Sequence, residues 1–112
     1  MMQAFELSEL LAAREAGGRL YHEFLRVPAL SMGLYVLSAG GTDPQQPHTE
    51  DEVYYIAAGR GMIQVGEEQR AVSAGSVVFV PARVPHHFHS VEEDLRILVF
   101  FAPAEYSQKG EE

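Results

Sequence analysis

Four of the five histidines of this chain fall in two short segments, Gln46-Pro47-His48-Thr49-Glu50-Asp51-Glu52 and Pro85-His86-His87-Phe88-His89. Imidazole nitrogen and carboxylate oxygen bind divalent transition metals at about 2.0–2.2 Å, so ligands to one ion must converge within a few ångströms. On a straight strand, positions 48 and 52 would stand roughly 13 Å apart at about 3.3 Å per residue. They share an ion only if the chain turns between them. Thr49-Glu50-Asp51 is polar enough to make that turn, and Val53-Tyr54-Tyr55-Ile56 resumes as a strand. Taken singly, His48 reads as a turn residue and Glu52 as a surface acid; their interest lies in the set they form with His86.

The spacing around these residues resembles a known family. Gly40-x5-Gln46-x-His48-x3-Glu52-x6-Gly59 is similar to the first cupin motif, and Gly75-x5-Pro81-x-Arg83-x2-His86-x3-Ser90 to the second. The fifteen residues between Gly59 and Gly75 suit a small one-domain cupin of the conserved-barrel (cupin 2) type. The resemblance spans residues 31 to 101. It implies that His48, Glu52 and His86 hold one divalent metal ion: Fe, Mn, Zn, Ni or Cu. Three positions depart from the family pattern. Gln46 stands where a first histidine is usual, Arg83 replaces a turn glycine, and Ser90 replaces an asparagine. Gln46 offers a neutral carbonyl oxygen as a fourth ligand, or hydrogen-bonds a metal-bound water instead.

Two histidines and one carboxylate with open positions is the set associated with non-haem Fe(II) oxygenases, so a dioxygenase-like enzyme acting on a small organic molecule is the leading reading. A non-catalytic module that binds or senses a small molecule is a second. A metal-assisted isomerase or lyase of small sugars or acids is a third, since one barrel hosts many chemistries.

The elements that must position these side chains are strands. Leu20–Val27, Ser31–Leu37, Val53–Ala57, Gly61–Val65, Arg70–Val72, Ser76–Val80, His86–Val91 and Leu95–Phe101 are short, rich in β-branched or aromatic residues, and bounded by Gly, Pro, Asp or Ser. Val65-Gly66-Glu67-Glu68 reads as a hairpin tip. Ser8 is placed to cap a helix running to about Ala16, ended by Gly17–Gly18, with Leu7, Leu10 and Leu11 on its apolar side. The fold expected is all-β: an antiparallel jelly-roll barrel of about eight strands over residues 20–103, with a short N-terminal helix over 8–16. One domain is expected over residues 1–112, ending in a tail without fixed structure at 107–112.

Strand alternation turns His86, Phe88 and Ser90 inward and leaves His87 and His89 outside; a slip of one residue would instead make His87 the ligand. Tyr54 shares the side of Glu52. Phe79, Ile56, Met62 and Met32 are expected in the core or lining, His22 in a structural role, and Glu50 in a solvated turn.

Composition excludes several classes. The formal charge is −8, from sixteen acids against eight bases, which repels phosphate backbones and anionic lipid; neither nucleic acid nor membrane is an expected partner. The acids at Glu92–Asp94 are expected in a solvated turn. No cysteine is present, so thiolate ligands and thiol nucleophiles are impossible, and a reducing, cytoplasmic location is expected. No secretory signal is visible. The family resemblance also implies a homodimer, with the outward residues of Leu20–Leu37 as the expected interface.

Overall fold

A computed structural model describes residues 1–45 and 47–107. The element order is α1 (Leu7–Gly17), β1 (Tyr21–Val27), β2 (Leu30–Leu37), β3 (Asp51–Val65), β4 (Glu68–Ser73), β5 (Val77–Val80) and β6 (His86–Ala102). All strand pairs are antiparallel, in the order β1-β2-β6-β3-β4, with β5 on the free side of β3. This is the jelly-roll barrel expected, with its short N-terminal helix.

Where eight strands were predicted, six are found, because two pairs fuse. Val53–Ala57 and Gly61–Val65 are halves of β3, and His86–Val91 and Leu95–Phe101 are halves of β6. The ladder shifts register three times between Ile56 and Met62, so each strand bends without breaking. Gly59 makes the bend possible. Its φ is +89°, and a Cβ there would lie 2.0 Å from the Asp94 carbonyl oxygen. Glu92–Asp94 therefore sits within a strand, exposed, and not in a turn. Bent strands of this length serve two walls of the barrel, which puts residues from their far ends within reach of one another.

Alternation beyond the bend is regular. Leu95, Ile97, Val99 and Phe101 are buried on β6, as are Glu52, Tyr54 and Ile56 on β3. Burying each large apolar side chain contributes about 1.5–3 kcal/mol, so this interior, and not turn chemistry, sets the register. The Tyr54 and Phe88 rings pack edge to face at 4.9 Å. The hairpin tip falls at Gly66-Glu67, as the sequence predicts, with Val65 paired to Glu68.

Several expectations are corrected. Ser8 lies inside the helix; Glu6 occupies the N-cap with no side-chain cap bond, and docking of α1 on β1 and β2, which buries Leu10, sets the start. Leu7 is exposed. Gly18 closes the helix in the left-handed conformation, its N–H bonded to the carbonyls of Arg14 and Glu15. Phe79 is 58% exposed, and Met32 and Met62 are half-buried, because the parity of their strands turns them to the outer face. Ser107 ends a turn, donating its N–H to the Ala104 carbonyl; residues 108–112 lie outside the described residues.

Candidate metal centre

Glu52 is the second residue of β3 and faces inward, 2% exposed, paired in register with Phe101 on one side and Val80 on the other. His86 begins β6 and pairs with Val65, at the opposite end of β3 from Glu52. Only closure of the bent sheet joins them. The Nε2 of His86 stands 3.1 Å from Oε1 of Glu52.

His48 arrives from the loop before β3. The turn between positions 48 and 52 exists, but Thr49 and Glu50 in it are buried, and only Asp51 is exposed. Glu50 is 1% exposed, accepts the Thr49 hydroxyl, and accepts the Tyr106 N–H at 2.6 Å. From the other side the Arg83 N–H donates to the His48 carbonyl at 2.7 Å, and the Ala82 N–H to Oδ1 of Asp51 at 2.9 Å. Pinned so, His48 is 7% exposed and places Nδ1 3.5 Å from Oε1 of Glu52. Its ring lies tilted against those of Phe101 and Tyr106, at centroid distances of 4.7 and 5.5 Å.

His48 Nδ1, His86 Nε2 and both Glu52 oxygens are buried with no hydrogen-bond partner among the described residues. An imidazole lone pair and a carboxylate oxygen at 3.1 Å repel unless a proton or cation lies between them. One ligand atom from each of His48, Glu52 and His86 can be chosen so that all lie within 4.8 Å of one another. The other imidazole nitrogens are spoken for. His86 Nδ1 donates to the Val84 carbonyl at 2.9 Å, and His48 Nε2 is 2.9 Å from Oε2 of Glu105. Such outer contacts select the tautomer whose free nitrogen faces the centre. Two imidazoles and one carboxylate, orphaned and convergent, fit a divalent transition metal.

Electrostatics agree. Burial alone would push the His48 imidazole down, but the Glu105 and Glu52 carboxylates beside it prevail and raise it to about 9. Burial of His86 is likewise overcome by Glu52 and the Val84 carbonyl, so it too is raised. Burial would raise Glu52, yet the two imidazoles hold it below the usual carboxylate range.

The structure thus brings together His48, Glu52 and His86; the fourth candidate, Gln46, lies outside the described residues. Because His86 is buried toward Glu52, the one-residue slip to His87 does not occur. His87 and His89 face outward, His89 bonding Gln69 and Ser90. His22 is half-buried on β1 opposite Leu34. Ser90 does not turn inward with His86 and Phe88: it is exposed with φ +49°, and Arg83 has φ +68°. The two departures from the glycine and asparagine of the motif therefore keep the left-handed backbone that those residues favour.

Other site residues carried no motif signal. Asp43 is a hub, accepting the Tyr35 hydroxyl at 2.5 Å, the Phe88 N–H at 2.8 Å and both donors of Gln45. The Tyr54 hydroxyl donates to Oε1 of Gln45 at 2.8 Å. Glu105 comes from beyond the barrel, and nothing in its sequence surroundings points to His48. A cavity of about 380 Å³ opens onto His48, Glu52 and Glu105 and is walled by Tyr21, Tyr35 and Phe101. Tyr21 lies across Gly33, where a Cβ would come 2.1 Å from its ring.

The profile of the cupin domain matches residues 33–101. An uncharacterized protein of Streptomyces coelicolor is 54% identical over 104 residues, covering 93% of this chain and 99% of that one. Among solved structures, the TT1209 protein of Thermus thermophilus superposes with a TM-score of 0.70 at 26% identity, over 92% of this chain and 99% of that one. An RmlC-like cupin of Methanocaldococcus jannaschii with a double-stranded β-helix superposes at 0.73 with 17% identity, over 92% of each chain, a likeness of fold alone.

Proposed function

The chain belongs to the cupin domain family, and from that premise we propose that it is a metal-dependent enzyme acting on a small organic molecule, of the dioxygenase type. The observation that carries this reading is the orphaned set of His48 Nδ1, His86 Nε2 and the Glu52 carboxylate at the edge of a cavity of small-molecule size. A divalent ion held by His48, Glu52 and His86 would supply redox or Lewis-acid chemistry at the edge of the cavity. The chain's own residues orient and shield. Glu105 and the Val84 carbonyl hold the two imidazoles in their ligating tautomers. Phe101, Tyr21 and Tyr35 keep the wall beside the centre apolar, which strengthens every charge interaction inside it.

The test is oxygen uptake by iron-loaded protein with diols, thiols, amines and keto acids, alongside elemental analysis. Stoichiometric iron with no uptake on any of these overturns the dioxygenase reading, and a ligand recovered unchanged favours a binding module.

We also propose that two copies pair through the outer sheet face. Phe79–Val53–Phe100–Met32 and Val77–Tyr55–Leu98–Leu34 form two adjacent cross-strand rows of apolar side chains. Val77, Phe79 and Tyr55 are 65, 58 and 40% exposed. A contiguous patch of this kind supports a protein interface. It is centred on β3 and β5, not on the Leu20–Leu37 segment, where α1 docks and Leu34 is fully buried.

A further inference from the structure

Outside the buried centre, a second pair of imidazoles stands on the opposite face of the same strand. His86 and Phe88 point into the barrel, so alternation along β6 sends His87 and His89 out together. The ladder fixes both. His87 is paired in register with Gln64 on β3 and His89 with Met62, and these two pair in turn with Gln69 and Ala71 on β4. Residues two apart on one strand stand about 6.6 Å from each other, at a rise of about 3.3 Å per residue. The rings of His87 and His89 lean closer than that, to 5.5 Å between centroids, inclined at 42°. His48 and His86, whose ligating nitrogens lie within 4.8 Å of each other, have centroids 5.7 Å apart and an inclination of 35°. The outer pair is thus as close as the inner one.

The outer rings are also reachable, and one is already oriented. Both are half-buried at the strand surface, beside exposed Gln69 and Ser90. His89 gives its Nε2–H to Oε1 of Gln69 at 2.9 Å. That leaves Nδ1 without a proton, and there it accepts the exposed Ser90 hydroxyl at 3.0 Å. A ligating histidine is held in the same way, one nitrogen donating to an outer carbonyl while the other is offered to the ion. His87 makes no hydrogen bond among the described residues, so an ion competes there only with water.

We propose that His87 and His89 form a second metal site, an open surface chelate for a transition-metal ion, Cu(II) most tightly and Ni(II) or Zn(II) after it. Imidazole suits these ions, and copper heads the order of their affinities for nitrogen ligands. Mg²⁺ and Ca²⁺, which take oxygen ligands, are passed over. Two nitrogens on one rigid strand grip the ion from one side, and water fills its remaining positions. The site goes beyond the enzyme proposed above and does not depend on it, since the backbone of β6 lies between the two sets of rings.

Retention of the untagged chain on nickel held by immobilised iminodiacetate tests it. A tethered ion cannot enter the barrel, where His48 and His86 are 7 and 5% exposed, so it reports on outer histidines alone. The wild-type chain, pre-treated with chelator and desalted, should bind the matrix and elute only with imidazole. His87→Gln and His89→Gln should each elute at several-fold less imidazole, as early as the double variant, because a chelate needs both rings. His22→Gln, at the other histidine outside the buried set, should elute with the wild type. Zinc titrated into the wild-type chain should shift the ring-proton resonances of His87 and His89 together, a measurement that needs no variant to fold. A wild-type chain that runs through the matrix, single variants that each lose only part of what the double variant loses, or zinc shifts at one ring without the other overturns the proposal.

Discussion

Glu105 holds His48 by its Nε2, at 2.9 Å, and so turns the ring's other nitrogen toward Glu52. The carboxylate comes from the segment after β6, which is itself tied down by the Glu105 N–H on the Ser31 hydroxyl and the Ala104 N–H on the Pro28 carbonyl. A residue outside both motifs thereby sets the tautomer of a ligand inside the first. Glu105→Gln should weaken metal binding by about 10–100-fold, the usual effect of losing an outer-shell partner. Competition with a chromogenic chelator measures it; wild-type affinity in the variant would mean that His48 needs no such support.

Removing a ligand is harsher than removing its support. His86→Ala should abolish stoichiometric metal in purified protein, read by elemental analysis. Since an ion that binds only the folded chain stabilises it by about 2.7 kcal/mol at a hundredfold excess over Kd, chelation should lower the wild-type Tm by several degrees and leave that of the variant unmoved. Equal metal in both proteins would remove His86 from the site.

The metal-free chain should have a bounded pH optimum. His48 is raised from 6.5 to about 9 when folded, so its contribution is complete below 6.5 and is lost as pH climbs through 9. Glu52 is lowered when folded, so its contribution is complete above its ordinary 4.5 and fades as pH falls toward the folded value. Urea midpoints of chelated protein should therefore peak between about 4.5 and 6.5. Metal affinity should run the other way, rising with pH as the two imidazoles release their protons. Chelated protein that gains stability from pH 7 to 9 would contradict this arrangement of charges.

Gly59→Ala tests the bend of β3. The new methyl meets the Asp94 carbonyl oxygen at 2.0 Å and is placed on a backbone of φ +89°. The φ strain alone costs about 1–3 kcal/mol, before the clash is counted, so the urea midpoint should fall sharply. Gly17→Ala, with nothing within 4 Å of the added Cβ, is the matched control and should change little.

For the outer face, Phe79→Lys combined with Val77→Lys should convert a dimer to a monomer in light scattering at micromolar concentration without loss of fold. Both side chains are largely exposed, so neither supports the core of a single copy. A wild-type chain that is monomeric at the same concentration disposes of the interface.

Local chemistry made much of this protein legible from its residues alone. The apolar run from Leu95 to Phe101 and the Gly66 hairpin pointed to strands, because burial and turn geometry act over a few neighbouring positions, and the resemblance of the paired motifs to a known family implied the barrel and singled out His48, Glu52 and His86. Tertiary structure decided what depends on closure. Glu52 and His86 meet only because β3 and β6 bend at Gly59 and curl shut, a consequence of register shifts that no local pattern encodes. The same closure carries Glu105 to His48, buries Glu50 beneath Tyr106, and turns Phe79 out to the surface. Contacts between distant segments follow from how the whole sheet packs its interior, and side-chain identity along the chain cannot specify that packing one position at a time.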